Sequence, residues 1–298
     1  MYLSPEHFTL PCPDPALPEH VVETILEKGS GAFNEDVLLQ ADDLFGVFDG
    51  ATSLDKRKFS GGLTGGLLAA QIAAQTFQEE QAGLERLAIR ANSRIRDTLL
   101  AENVSMTERH RLWSTSLAVI RLAADRFEYC QTGDALILVI QDNGAFRILT
   151  PEIDIDRKTL HLWKKLPTTQ AATIHDVLAD QIFRVRLQMN VSYGVLNGEP
   201  EAAGFLRHGY HELAGVSDIL LFTDGLFLPR ENPLACNDWR CLVDLYQAGG
   251  LQAVHNHVRR LQQEDPACRK YPRFKQHDDI AAVAIRLHGS PQPAIAFS

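Results

Sequence analysis

"DLFGVFDGATS", residues 43–53, opens as a strand made for a hydrophobic interior and closes on a charge. Leu44, Phe45, Val47 and Phe48 put apolar side chains on both faces, which suits a strand covered on both sides. Asp49 follows, backed by the small residues Gly50 and Ala51. Just upstream, "NEDVLLQA" supplies a second strand, and the two meet at a short polar turn at Asp42 and Asp43. A turn centred between those residues sets Asp36 directly opposite Asp49. Side chains paired in this way have Cβ atoms about 4.5–5.5 Å apart on one face. Two carboxylates at that spacing repel unless a proton or a cation lies between them. A slip of one residue would send them to opposite faces.

The same arrangement returns late in the chain. "ILLFTDG" ends an apolar strand on Asp224-Gly225, and "HDDIAAVAI" begins one on Asp278-Asp279. If those strands are antiparallel neighbours, the end of one meets the beginning of the other. Carboxylates from both halves of the chain then gather at one rim. Magnesium and manganese take oxygen ligands of this kind. Glycine beside each aspartate lets the backbone approach closely, and the Gly50 carbonyl is a further candidate ligand. Asp-Gly alone is a common turn dipeptide. It is the repetition of the strand pattern that points to a site.

Composition agrees with a soluble globular domain. The chain has 298 residues, 45% hydrophobic and 22% charged, with 29 Lys and Arg against 38 Asp and Glu, a formal charge of −9. That balance argues against a nucleic-acid partner, which needs a basic surface. The 5 cysteines include no CxxC pair, so neither a disulfide framework nor a zinc site is supported. No stretch reaches the roughly 18 apolar residues of a membrane helix, and no basic segment leads into an apolar run at the N-terminus. A cytoplasmic location with no membrane contact is expected.

Along the chain, residues 1 to 20 form a proline-rich extended segment, 21 to 290 the domain, and 291 to 298 a peripheral tail. Two amphipathic helices follow the first hairpin, within "GGLTGGLLAAQIAAQTFQEE" and "LERLAIRANSRIRDTLLAE". "STSLAVIRLA", "RFEYCQTGD", "ALILVIQDN" and "AFRILTPE" read as an antiparallel meander with short turns. Residues 151 to 210 are mixed, with helical character around 175 to 189 and a loop from 194 to 210. "SDILLFTDGLFL" is a strand, "DWRCLVDLYQAGGLQAVHNHVRRLQQED" two helices broken at Gly249-Gly250, and "IAAVAIRLH" a final strand. This order fits an α+β fold: a four-layer α-β-β-α sandwich of two antiparallel sheets flanked by helix pairs.

These motifs resemble the metal-dependent protein phosphatases of the PPM family, 2C type, in bacterial form. "FNEDVLLQADDLFGVFDGATS" is similar to the opening motif, where an acidic-Asp pair precedes a strand ending in Asp-Gly. "WSTSLAVIRLAADRFEYCQTGDALILVIQDNGAFRILTPE" resembles the central block. "ILLFTDGLFL" and "DDIAAVAIRL" follow in the proper order. The likeness spans about residues 30 to 288. It implies a β-sandwich flanked by helices and two divalent cations, manganese or magnesium, with room for a third.

By motif, Asp49 bridges the metals and the Gly50 carbonyl holds the second. Asp224 and Asp278 bind the first, and Asp36 and Glu35 act through metal-bound water. Asp279, where the family usually has Asn, shares or exchanges roles with Asp278, and Asp134 in "TGDA" matches the position tied to a further metal. The resemblance implies a metal-bridging hydroxide attacking phosphoserine or phosphothreonine in a protein, without a phosphoenzyme. The substrate is then the product of a serine/threonine kinase.

Some positions depart from the pattern. Many members carry His after the first Asp-Gly; here it is Ala51. The upstream phosphate-binding Arg has no clear match, and Lys28 is the nearest basic candidate. "FSGGLTGGL" lacks the lysine and spacing of a P-loop, and close packing of helix on sheet is its expected role. "LHLWKKLP" offers Trp163, Lys164 and Lys165 beside the site, though such a pattern also describes an amphipathic surface. Phosphatases with an aspartyl nucleophile need Asp where this chain has Val47. A rival remains: a catalytically weak or inactive PPM-like module that binds a phosphoprotein partner.

Overall fold

A computed structural model describes residues 16–51, 54, 57–79, 81–167 and 173–288. The first strand expected from the sequence, β3 (Leu44–Ala51), pairs antiparallel with β2 (Asp36–Gln40), and Asp36 stands opposite Asp49. The turn closes with the Ala41 N–H donating to the Leu44 carbonyl at 2.9 Å. The register is therefore the one a turn at Asp42 and Asp43 requires.

The other elements are β1 (His20–Glu27), α1 (Gly65–Glu79), α2 (Leu84–Ala101), β4 (Ser114–Leu122), β5 (Arg126–Thr132), β6 (Leu136–Gln141) and β7 (Phe146–Ile148). They continue as α3 (Arg157–Lys165), α4 (Ile174–Val177), α5 (Ala179–Arg186), β8 (Arg207–Glu212), β9 (Val216–Phe222), α6 (Trp239–Gln263) and β10 (Ile280–Leu287). Two antiparallel sheets result, one ordered β2-β3-β4-β5-β8 and the other β1-β10-β9-β6-β7.

Alternation within each strand explains the layers. Phe45 and Val47 of β3, Ala118 and Ile120 of β4, Ile219 and Leu221 of β9, and Val283 and Ile285 of β10 form the core between the sheets. Their neighbours face outward, yet they too are buried. Phe48 and Leu117 pack with Ala70, Ala73 and Phe77 of α1 and Leu87 and Ile95 of α2. Leu220, Phe222 and Ala282 pack with Leu242, Tyr246 and Val254 of α6. The central strands thus read as unbroken apolar runs because helices cover what would otherwise be a solvated face. The α+β class and the four-layer sandwich are as the sequence indicates. Helix α6 is bent where expected, with non-helical backbone at Gly249 and Gly250.

Other expectations need correction. The four strands from 114 to 148 do not form one meander. β4 and β5 belong to one sheet and β6 and β7 to the other. The Gly133-Asp134 turn carries the chain across, with Gly133 at φ +77°. β8 is a strand at the end of the loop expected over 194–210, β1 is a strand in a stretch given no element, and α3 adds a helix at 157–165. β1 is paired along its whole length with β10. The proposed tail at 291–298 and most of the N-terminal segment, residues 1–15, lie outside the described residues.

Candidate metal centre

Strand ends and one crossover bring the predicted carboxylates together. Asp36 and Asp49 come from the hairpin, Asp134 from the turn that changes sheets, Asp224 from the single 3-10 turn after β9, and Asp278 from the residues before β10. β9 and β10 are antiparallel neighbours, with Phe222 opposite Ala282, so Asp224 and Asp278 meet as the sequence implied. Asp134, Asp224 and Asp278 line one cavity of about 130 Å³.

The electrostatics follow from that crowding. Burial, then the charges of Asp36, Asp224, Asp134 and Asp278, holds the Asp49 carboxyl well above its ordinary range. Burial and the neighbouring Asp278, Asp134 and Asp36 do the same to Asp224. Asp36 is raised by burial and by Asp278 and Asp279, although the Thr223 hydroxyl donates to its Oδ2 at 2.6 Å and opposes the shift. Asp134 is raised chiefly by burial, and the adjacent Ser116 hydroxyl offsets part of that. Carboxylates from both sheets therefore repel one another across a single rim.

The glycines have a more specific role than leaving space. A Cβ on Gly50 would lie 2.4 Å from the Gly66 carbonyl oxygen and 2.6 Å from that of Glu35. On Gly225 it would lie 1.8 Å from the Asp279 carbonyl oxygen. These residues seat one ligand-bearing segment directly on the backbone of another. Gly65 and Gly66 likewise permit the start of α1 to sit on Trp113 and on Gly50.

Asp278 and Asp279 are sharply different. Asp279 is 3% exposed, and its carboxylate accepts from the Gly29 N–H at 2.7 Å and from the Glu35 N–H at 3.1 Å. It ties β10 to the approach of β2, whereas Asp278 lines the cavity. Glu35 is buried, and its carbonyl accepts from Gly50 N–H at 3.2 Å. Lys28 is exposed and lines a different cavity of about 420 Å³, with His255, Arg259 and Arg260.

Several site residues were not legible in the sequence. Asp154 and Asp156 line the carboxylate cavity, and Ile153 and Ile155, which alternate with them and also reach it, pack against the helix-covered core. The alternation in "EIDID" was the available signal. Asp154 accepts from Arg230 at 2.9 Å, and burial with the charge of Asp134 pushes Asp156 up to about 7. Thr223 also accepts from the Ala281 N–H at 3.0 Å, so one hydroxyl links β10 to Asp36. Trp163 is buried instead of offered to a ligand. Its indole donates to the Cys268 carbonyl at 2.9 Å and the Arg269 guanidinium lies 3.3 Å over the ring.

Among the described residues, no three His, Cys, Asp or Glu side chains already surround one point closely enough to hold an ion. The donor set nonetheless fits hard divalent cations: it is all oxygen, it is crowded, and it is drawn from strand ends and the turns beside them. Among the described residues, no helix is long and apolar enough to cross a membrane.

A family model described as Protein phosphatase 2C matches residues 28–249. A search of the curated proteins finds no match. Among solved structures, PppA of Pseudomonas aeruginosa is 17% identical with a TM-score of 0.57, covering 91% of this chain and 99% of that one. Stp1 from Staphylococcus aureus, a serine/threonine phosphatase, is 13% identical with a TM-score of 0.56, covering 92% and 97%. The catalytic domain of the serine/threonine phosphatase PstP in complex with 2 manganese ions is 16% identical with a TM-score of 0.54, covering 92% and 99%. These likenesses establish a shared fold. With the family model matching most of its length, the chain belongs to the protein phosphatase 2C family.

Proposed function

We propose that this protein is a metal-dependent phosphatase acting on phosphoserine and phosphothreonine in proteins phosphorylated by a serine/threonine kinase. The observation that supports the reading most is the convergence of Asp36, Asp49, Asp134, Asp224 and Asp278, drawn from both sheets, on one rim. Two divalent cations, manganese or magnesium, supply a water acidic enough to attack phosphorus at neutral pH.

In this scheme the Asp49 carboxylate and the Gly50 carbonyl would help to hold the ions. Asp224 and Asp278 would hold them as well, while Asp36 and Glu35 would accept hydrogen bonds from bound water. Asp134 offers a further position beside Asp156. Asp279 orients the segment and does not ligate. Ala51 has no proton to donate, so the leaving oxygen takes its proton from elsewhere.

The test is hydrolysis of p-nitrophenyl phosphate and of phosphoserine and phosphothreonine peptides with added manganese, magnesium or chelator. We expect turnover only with a divalent ion. Asp49→Asn and Asp224→Asn should each lower kcat/KM by at least about 100-fold, since each disturbs the ions themselves. Purified protein that binds no divalent ion and shows no turnover would end this reading.

A further inference from the structure

Lys275 stands at the carboxylate rim. Its Nζ lies 2.7 Å from Asp278 Oδ1 and 3.5 Å from Asp279 Oδ2, and its side chain is 34% exposed. It lines the same cavity as Asp134, Asp224 and Asp278. Its charge also acts on Asp49 and Asp36, which belong to the other sheet.

The backbone on both sides of Lys275 is fastened. Arg273 donates to Asp265 Oδ2 at 3.0 Å and to the Gln262 carbonyl at 2.9 Å. On the other side, the His277 N–H donates to Ser30 Oγ at 2.9 Å, and the Ser30 N–H returns to the His277 carbonyl at 2.8 Å. Earlier in the same loop, Trp163 holds the Cys268 carbonyl. The ammonium is thus delivered to Asp278 by a braced loop and does not drift in from solvent.

We propose that Lys275 is a tethered cation that competes with a divalent ion for Asp278 and so sets the metal affinity of the site. The inference rests on the metal-centre reading above. An ion drawing on Asp278 must share that carboxylate with the ammonium or displace it. Like charges a few ångströms apart in a partly buried site repel strongly. With no ion bound, the same ammonium offsets part of the carboxylate repulsion and holds the rim together.

The experiment is manganese titration of the full chain by calorimetry, for the wild type, Lys275→Met, Lys275→Gln and Lys275→Arg. Removing the charge should tighten manganese binding by about tenfold or more, and keeping it as Arg should leave the affinity within about threefold of wild type. In chelator the Met and Gln variants should melt below the wild type, and saturating manganese should close or reverse that gap. Should Met fail to fold, Gln carries the test.

Wild-type binding with neutral variants that bind equally or more weakly would overturn the competition and leave the metal centre standing. Wild-type and neutral variants that all take up no manganese would overturn both.

Discussion

Asp36 and Asp49 were legible because β-pairing is arithmetic: a two-residue turn fixes every partner above it, and the observed pairing is the one it demands. Thr223 was not, because nothing in "LLFTDG" announces that its hydroxyl will cross to the other sheet and donate to Asp36. Asp154, Asp156 and Lys275 share that difficulty, since their places depend on how loops fold over the rim. Substituting Thr223 is accordingly informative. Thr223→Val keeps the shape but removes the donor to a buried carboxylate and the acceptor for Ala281 N–H, which should cost about 1–3 kcal/mol in a denaturant melt. Loss of the partner that orients Asp36, which reaches the ions through their water, should also weaken manganese binding by about tenfold or more. A variant equal to wild type in both measurements would show that Asp36 needs no such support.

Strands buried on both faces were easy to find as elements, for their apolar runs are long. Two of the four edge strands were not. β8, "RHGYHE", carries no apolar run, and it is a strand because its backbone pairs with β5. β1 mixes Glu23 and Glu27 into an apolar pattern, and it too lies at a sheet edge. Hydropathy cannot report pairing that depends on the main chain alone. The crossover at Gly133-Asp134 was hidden for a related reason: a tight turn looks the same whether the next strand joins the same sheet or the other. Glycine spacing carried more than expected. Gly225→Ala would set a Cβ 1.8 Å from the Asp279 carbonyl oxygen, a backbone atom that cannot swing aside. The predicted cost is about 1–3 kcal/mol or more, with manganese affinity falling in parallel because Asp224 and Asp278 must part. Alanine tolerated there with unchanged affinity would contradict the close seating of the two segments.

At the scale of the molecule, the raised carboxylates make stability depend on pH. Asp36, Asp49, Asp134 and Asp224 are held above their ordinary range, and Asp156 reaches about 7. A group raised in the folded state favours folding while protonated, and that contribution is lost as pH climbs through its folded value. In chelator, the melting temperature should therefore fall as pH rises from about 5 to about 8. Glu27 and Asp265 are lowered and lose their contribution only at more acid pH, below this window. His257 and His277 are lowered and act in the opposite sense, two half-buried groups against five raised carboxyls. Manganese at 100 times its dissociation constant should restore about 2.7 kcal/mol. A melting temperature that climbs steadily with pH in chelator would show that the repulsion is relieved in some other way.

The contributors to the rim are divided between the sheets, with Asp36 and Asp49 on one and Asp224 and Asp278 at the strand ends of the other. Neither half possesses enough of them alone. During refolding, the hairpin closes quickly because its ends are neighbours, whereas the sheets meet only after a long stretch of chain has been brought home. Manganese uptake, followed by stopped flow, should lag behind the recovery of secondary structure and mark the moment when the two halves dock.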